Sequence, residues 1–144
     1  MSNEFDKRII GHIRNGNVEV IETLLEIQIL KPYDILFESS HNTNTEDGIS
    51  LMGILGRYPC VNYKQMITLF LSYGVEINGV STSSDTPLES AIIYKNFPTA
   101  AYLQFKGGKY ETSLIDQYNT ISDTNLYDQL QNEFNKINEP AALF

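Results

Sequence analysis

The sequence lacks several features that would tie it to a membrane or to an oxidising compartment. It contains no tryptophan and a single cysteine, Cys60, so an internal disulfide is excluded and Cys60 is expected to be a buried apolar residue. No apolar run approaches the ~20 residues that a membrane helix requires. Residues 1–6 have neither the basic start nor the apolar segment of a signal peptide. These absences favour a soluble protein of the cytoplasm that does not bind a membrane.

Basic residues are also scarce in this sequence. The chain has 10 Lys and Arg against 18 Asp and Glu, so its formal net charge is −8 at pH 7. This balance argues against nucleic acid as the partner, because each phosphate contact requires a Lys or an Arg side chain. It leaves a basic protein open as a partner, since opposite charges would speed their association.

Motifs that carry chemistry are missing as well. The sequence has no nucleophile motif, no pair of metal ligands at helical spacing and no phosphate-binding glycine loop. His12 is expected to pack within a helix with one ring nitrogen hydrogen-bonded. His41 lies in a polar segment that would not hold a catalytic geometry. We therefore expect a protein without enzymatic activity, metal or cofactor.

What the sequence does contain is a helical pattern with clear end signals. Within residues 3–26 the apolar side chains recur at helical spacing and pause at a polar turn, which predicts a helix hairpin. Thr86 followed by Pro87 predicts the start of a helix, because Thr is a good N-cap and Pro fits the first helical position. Gly74 and Gly107 predict helix ends that adopt the left-handed conformation.

These signals together resemble a known repeat family. Residues 74–78 (Gly-Val-Glu-Ile-Asn), 85–88 (Asp-Thr-Pro-Leu) and 106–107 (Lys-Gly) resemble an ankyrin repeat, and residues 15–25 resemble the linker and second helix of one. The resemblance implies an all-α ankyrin-repeat solenoid of about four helix-pair repeats, with hairpin or finger loops on one edge. It implies a single domain at 1–138, made of a capping repeat at about 3–30, an extended finger at 31–48, repeats at 49–78 and 79–110 and a C-terminal capping repeat at 111–137, followed by a tail at 139–144.

The sequence departs from the family pattern at two further helix starts. Ser50 stands near the position where the family has Thr-Pro, so a weaker helix start is expected there. Asn62 with Gln65 predicts a capping box for the helix that follows. Tyr58 is expected at a turn, where a phenol can bury one edge and present the other to a partner.

The resemblance implies a non-enzymatic protein–protein interaction module, a monomer that binds another protein through a concave face of finger loops and inner helices. The side chains expected to contact the partner are mostly polar and lie on the fingers or on one inner helix: Ser40, His41, Asn42, Glu46, Asp47, Ser81, Ser83, Asp85, Glu89, Tyr94, Tyr110 and Glu111. Three alternatives stay open: a toxin-immunity protein or other inhibitor that masks a basic partner, an enzyme with an unrecognised site, and one module of a self-assembling scaffold.

Overall fold

The computed structural model describes residues 4–39, 46–119 and 125–137 of the chain. Within these ranges the chain forms eight helices and one two-stranded antiparallel sheet. In chain order the elements are α1 (Glu4–Arg14), α2 (Val18–Glu26), β1 (Ile35–Ser39), β2 (Glu46–Ser50), α3 (Leu51–Arg57), α4 (Tyr63–Ser72), α5 (Pro87–Ile93), α6 (Phe97–Phe105), α7 (Thr112–Asn119) and α8 (Leu126–Asn135). No helix in the described part combines the length and the apolar character needed to cross a membrane.

Neighbouring helices bury one continuous apolar core. Helix α1 packs against α2 and α3, α3 packs against α5, and α5 packs against α6 and α7, while α6 also packs against α8. Fully buried side chains such as Ile13 of α1, Leu55 of α3 and Leu88 of α5 belong to this core. Burying each of them contributes about 1.5–3 kcal/mol. The core therefore fixes the relative positions of the helix ends that carry the candidate site.

Helices α3 and α5 begin at strong side-chain caps. Thr86 Oγ1 accepts a hydrogen bond from Glu89 N at 3.1 Å, and Glu89 Oε1 accepts one from Thr86 N at 2.8 Å, which completes a capping box. At the start of α3, Ser50 Oγ accepts from Gly53 N at 3.1 Å. The predicted positions of the helix starts at Thr86 and Ser50 are therefore confirmed, although Ser50 caps α3 more fully than the weaker start that was expected.

Further local features of the chain agree with the sequence predictions, with one exception at Asn62. The helix hairpin is confirmed by α1 and α2, and the buried position of Cys60 is confirmed. Gly74 and Gly107 have φ values of +87° and +103°, which confirms their left-handed conformation after α4 and α6. The capping box predicted at Asn62 was wrong. Its side-chain amide donates instead to Gly16 O at 3.1 Å.

The β1–β2 hairpin is tied to the helices and loops on both sides. On the β1 side, Phe37 N donates to Asp6 Oδ2 of α1 at 2.9 Å. On the β2 side, Thr82 N donates to Gly48 O at 2.8 Å. Backbone groups at a sheet edge are commonly satisfied in this way, because unpaired groups would attract other strands. The hairpin therefore has a fixed position next to α1 and α3.

The predicted all-α ankyrin-repeat solenoid was wrong. The described residues include the β1–β2 sheet, and no repeat solenoid is evident in the arrangement of their eight helices. The connections between helix pairs also differ, since residues 27–50 contain the hairpin, 73–86 contain only turns and 106–111 are short. Thr-Pro and terminal Gly signals specify how a helix begins and ends, not how helix pairs are arranged. The domain boundaries stay predictions, and the tail at 139–144 lies outside the described residues.

Candidate functional site

A polar cluster lies where the hairpin meets the C-terminal end of α3. Glu38 of β1 lies opposite Asp47 of β2 in the strand register. Because alternate residues of a strand share a face, both acids lie on the same face as the buried Leu36, which is turned toward the helices. We name this group the arginine–tyrosine cluster, and its members are Arg14, Glu38, Asp47, Arg57, Tyr58 and Tyr94.

Each acid of this strand pair binds one residue at the end of α3. Tyr58 Oη donates a hydrogen bond to Glu38 Oε1. Arg57 Nη1 lies 3.7 Å from Asp47 Oδ2, within ion-pair distance. Burial and the hydrogen bond to the Glu38 carboxylate raise the pKa of Tyr58 well above its usual range. The Tyr58 phenol therefore stays a protonated donor at neutral pH.

The two arginines of the cluster also lie over aromatic rings. Arg14 Cζ is 4.1 Å from the centre of the Tyr58 ring, and Arg57 Cζ is 5.6 Å from the centre of the Tyr94 ring. An arginine within about 6 Å of a ring centre is attracted to the face of the ring. Helix α1, the end of α3 and the C-cap of α5 therefore each contribute a residue to the cluster.

The cluster combines a buried cation with exposed neighbours. The Arg57 side chain is only 11% exposed, whereas the Asp47 side chain is 53% exposed and Tyr94 is 54% exposed. Arg57 Nε is buried and has no hydrogen-bond partner among the described residues. A buried donor without a partner costs about 1–3 kcal/mol, a cost that calls for a structural or functional reason.

Asp85 extends the charged surface toward the loop before α5. Burial raises the pKa of Asp85, and the nearby Glu89 carboxylate raises it further. A hydrogen bond from Ser83 Oγ, at 3.4 Å, and the positive charge of Arg57 lower it. Asp85 therefore lies within electrostatic reach of Arg57, with the exposed Ser83 beside it.

The structure brings some of the predicted contact residues together. Asp47 and Tyr94 lie beside Arg57. The charge of Arg57 lowers the pKa of Asp85, and the exposed Ser83 donates a hydrogen bond to Asp85 Oδ2. These four predicted residues come from β2, from the loop before α5 and from the end of α5. Two of them, Asp47 and Tyr94, lie directly beside the nearly buried Arg57.

Other predicted contact residues occupy different surroundings. Ser81 and Glu89 are buried, which corrects the expectation that they lie on an exposed face. Ser81 Oγ accepts from Ser50 N at 3.1 Å, and Glu89 Oε2 accepts from Glu111 N at 2.8 Å, so both side chains serve internal hydrogen bonds. Tyr110 is half-buried, with its ring centre 6.2 Å from that of a tyrosine in α8. Glu111 is exposed at the start of α7.

The side chains of four predicted contact residues lie outside the described part of the chain. Ser40, His41 and Asn42 lie outside the described residues. The backbone of Glu46 belongs to β2, but its side chain lies outside the described part of the chain. The roles proposed for these residues therefore stay predictions.

The sequence prediction missed the centre of the cluster. Arg14, Glu38 and Arg57 were not among the expected contact residues. Tyr58 was expected at a turn with one edge open to a partner, but it was not among those contact residues either. Pairing Glu38 with Asp47 would have required recognising residues 35–50 as a hairpin. No sequence motif marked Arg14 or Arg57 as a contact residue, because their contacts with the aromatic rings arise only from the packing of α1, α3 and α5.

Comparison with known proteins gives no further guidance. No family model, curated protein or solved structure matches the chain. Within the described ranges, no group of three or more His, Cys, Asp and Glu side chains is placed to hold a metal ion. His12 Nδ1 lies 2.8 Å from the side-chain amide of Asn17, which agrees with its expected role in packing. Any functional proposal therefore depends on the geometry of the surface.

Proposed function

We propose that this chain is a non-enzymatic module that binds another protein through the surface formed by the arginine–tyrosine cluster. The observation that carries the proposal is Arg57, a nearly buried cation with the exposed Asp47 and Tyr94 on its borders. Arg and Tyr are enriched among the residues that dominate binding energy at protein interfaces. A central buried arginine with exposed neighbours is therefore an arrangement suited to protein recognition.

The cluster is also organised before any partner arrives. Tyr58 is held by Glu38 on one side and by the Arg14 guanidinium on the other. Arg57 is held by Asp47 and by the Tyr94 ring. Side chains that are already ordered lose less conformational entropy on binding, which would otherwise cost about 0.5–1.5 kcal/mol for each one immobilised. This rigidity supports a binding role for the cluster.

A sharper form of the proposal is an inhibitor or toxin-immunity protein that masks a basic partner in the cytoplasm. Its support is the formal net charge of −8 together with Asp47, whose exposed carboxylate lies on the cluster surface. Opposite net charges speed the association of two proteins, and this effect weakens as salt screens the charges. A basic partner would therefore associate with this chain rapidly at low ionic strength.

The general proposal can be tested by affinity capture with a matched pair of variants. Tyr94→Ala removes an exposed ring from the cluster, and Tyr118→Ala removes an exposed ring from α7. We expect a protein to be captured equally by the wild type and Tyr118→Ala, and about tenfold less by Tyr94→Ala, as measured by quantitative mass spectrometry. Equal capture by all three would contradict the assignment of the surface.

The inhibitor form needs a separate experiment. The chain and the product of the neighbouring reading frame would be expressed alone and together. An immunity role predicts that the neighbouring product is toxic alone and harmless when this chain is present. A neighbouring product that is harmless alone would count against immunity, while leaving the general binding proposal intact.

A further inference from the structure

The opposite face of the hairpin carries two apolar side chains of β1. Ile35 and Phe37 alternate with Glu38 along β1, so they lie on the face away from the arginine–tyrosine cluster. A methyl group added at Gly48 would lie 2.7 Å from Ile35 Cγ2 and 3.0 Å from Phe37 Cε1, which places both side chains over that glycine. The two faces of one hairpin therefore present different chemistry.

This apolar face continues into a groove at the base of the hairpin. We name it the hairpin-base groove, and its principal lining residues are Tyr33, Asp34, Ile35, Val75, Glu76 and Val80. Its volume is about 160 Å³. Tyr33 and Val80, on its borders, are 76% and 52% exposed. Pockets for drug-sized molecules occupy about 300–1,000 Å³, so this groove suits a single apolar side chain better than a cofactor.

Two acidic residues line the groove. Asp34 and Glu76 contribute to its wall. One basic residue, Lys31, is close in sequence, and its backbone N donates to Asp34 Oδ2 at 2.8 Å. Among the described residues that line the groove there are therefore two acids and no Lys or Arg.

We propose that the hairpin-base groove binds a segment of a partner protein in which a large apolar side chain is flanked by Lys or Arg. The apolar side chain would fill the groove between Tyr33 and Val80, and the basic residues would pair with Asp34 and Glu76. Charge complementarity decides between this occupant and a second copy of the chain. A second copy would bring the same acids and the same net charge of −8 to the contact. This site is separate from the arginine–tyrosine cluster and goes beyond the function proposed for it.

The probe for this proposal is a fluorescein-labelled amphipathic peptide made only of leucine and lysine, and its binding is measured by fluorescence anisotropy. Two variants of the chain form a matched pair. Val80→Lys alters the groove, and Val61→Lys alters another exposed surface. The two valines are 52% and 59% exposed, and both substitutions add the same charge. Any binding that depends only on net charge must therefore weaken equally in both variants.

We expect the wild type to bind the peptide saturably. Val80→Lys should weaken this binding about tenfold, equivalent to about 1.4 kcal/mol, and Val61→Lys should weaken it less than about twofold. Equal losses in the two variants, or no saturable binding to the wild type, would overturn the proposal. Both variants should keep the far-ultraviolet circular dichroism spectrum of the wild type.

Two further measurements separate this site from its alternatives. Tyr94→Ala, which alters the arginine–tyrosine cluster, should bind the peptide as tightly as the wild type does. If it weakened peptide binding as much as Val80→Lys, the groove would not be a site separate from the cluster. Sedimentation equilibrium should show a monomer at all concentrations tested. A dimer that Val80→Lys dissociates would mean that the groove binds a second copy and would overturn the proposed occupant.

Discussion

The packing of α3 against α5 leads to a stability prediction that uses two glycines. Gly56 lies in α3, and a methyl group added there would lie 2.4 Å from Pro87 O and 3.2 Å from Ala91 N. Both atoms belong to the backbone of α5, so Gly56→Ala must push the two helices apart. Gly11 lies in α1, and outside its chain neighbours and the backbone of α1 no atom of the described residues lies within 4 Å of the same position. It is therefore the matched control.

The two substitutions should change stability in opposite directions. Overpacking costs about 1–3 kcal/mol, and replacing a helical Gly by Ala returns about 0.5–1 kcal/mol. We expect Gly56→Ala to lower the free energy of unfolding by about 1–2 kcal/mol overall, because the overpacking term is larger. Gly11→Ala should raise it by about 0.5–1 kcal/mol, because only the helix term applies.

Urea unfolding followed by circular dichroism measures both changes, provided that the slope of the transition stays constant between variants. A gap of about 2 kcal/mol would also separate the two melting temperatures by about 4–8 °C for a chain of this size. If Gly56→Ala proved as stable as Gly11→Ala, the close approach of α3 and α5 would be refuted. The position of Arg57 and Tyr58, which follow Gly56 directly, would then lose its support.

Three further predictions concern single residues. Thr86→Ala should lower the free energy of unfolding by about 1 kcal/mol through loss of the α5 N-cap, whereas Ser83→Ala should change it by less than ~0.5 kcal/mol, and equal effects in urea unfolding would contradict the cap. Burial raises the pKa of Cys60 to about 11, so at pH 8 only on the order of 10⁻³ of the thiol is ionised, and an aromatic disulfide reagent should react with it rapidly only after unfolding. Rapid reaction of the native protein would show that Cys60 is accessible. The pKa of Asp85 is raised mainly by burial, so its contribution to stability is present below its unfolded pKa of about 3.9 and is lost as the pH rises through the folded pKa. As the pH rises from 3 to 6, the free energy of unfolding of Asp85→Asn should therefore increase relative to that of the wild type. A decrease relative to the wild type over that interval would contradict the direction of the pKa shift.

The parts of the fold that followed from the sequence are those decided by neighbouring residues. The helix hairpin near the N-terminus, the caps at Ser50 and Thr86 and the left-handed glycines at 74 and 107 each depend on a few adjacent positions. Asn62 failed as a cap because its side chain bonds to Gly16 O, which is distant in sequence. Local rules cannot anticipate a competing partner of that kind.

The arrangement of the helices and the hairpin could not be predicted from these local sequence signals. Residues 38–47 are all polar, so the alternation that marks a strand was weak. An extended finger was predicted at 31–48, but its two strands and their register were not. Without that hairpin, Glu38 and Asp47 could not be placed opposite each other. The predicted contact residues Asp47 and Tyr94 both lie beside Arg57, but the position of Arg57 is defined only by the packing of α3 against α5.

The central claim is that the arginine–tyrosine cluster binds a protein partner, and amide chemical shifts test it most directly. The captured partner would be titrated into the ¹⁵N-labelled chain. We predict the largest shift changes at Asp47, Arg57 and Tyr94, with little change at Tyr118 on α7. Largest changes at Tyr118 and its neighbours, with the cluster unaffected, would contradict the claim.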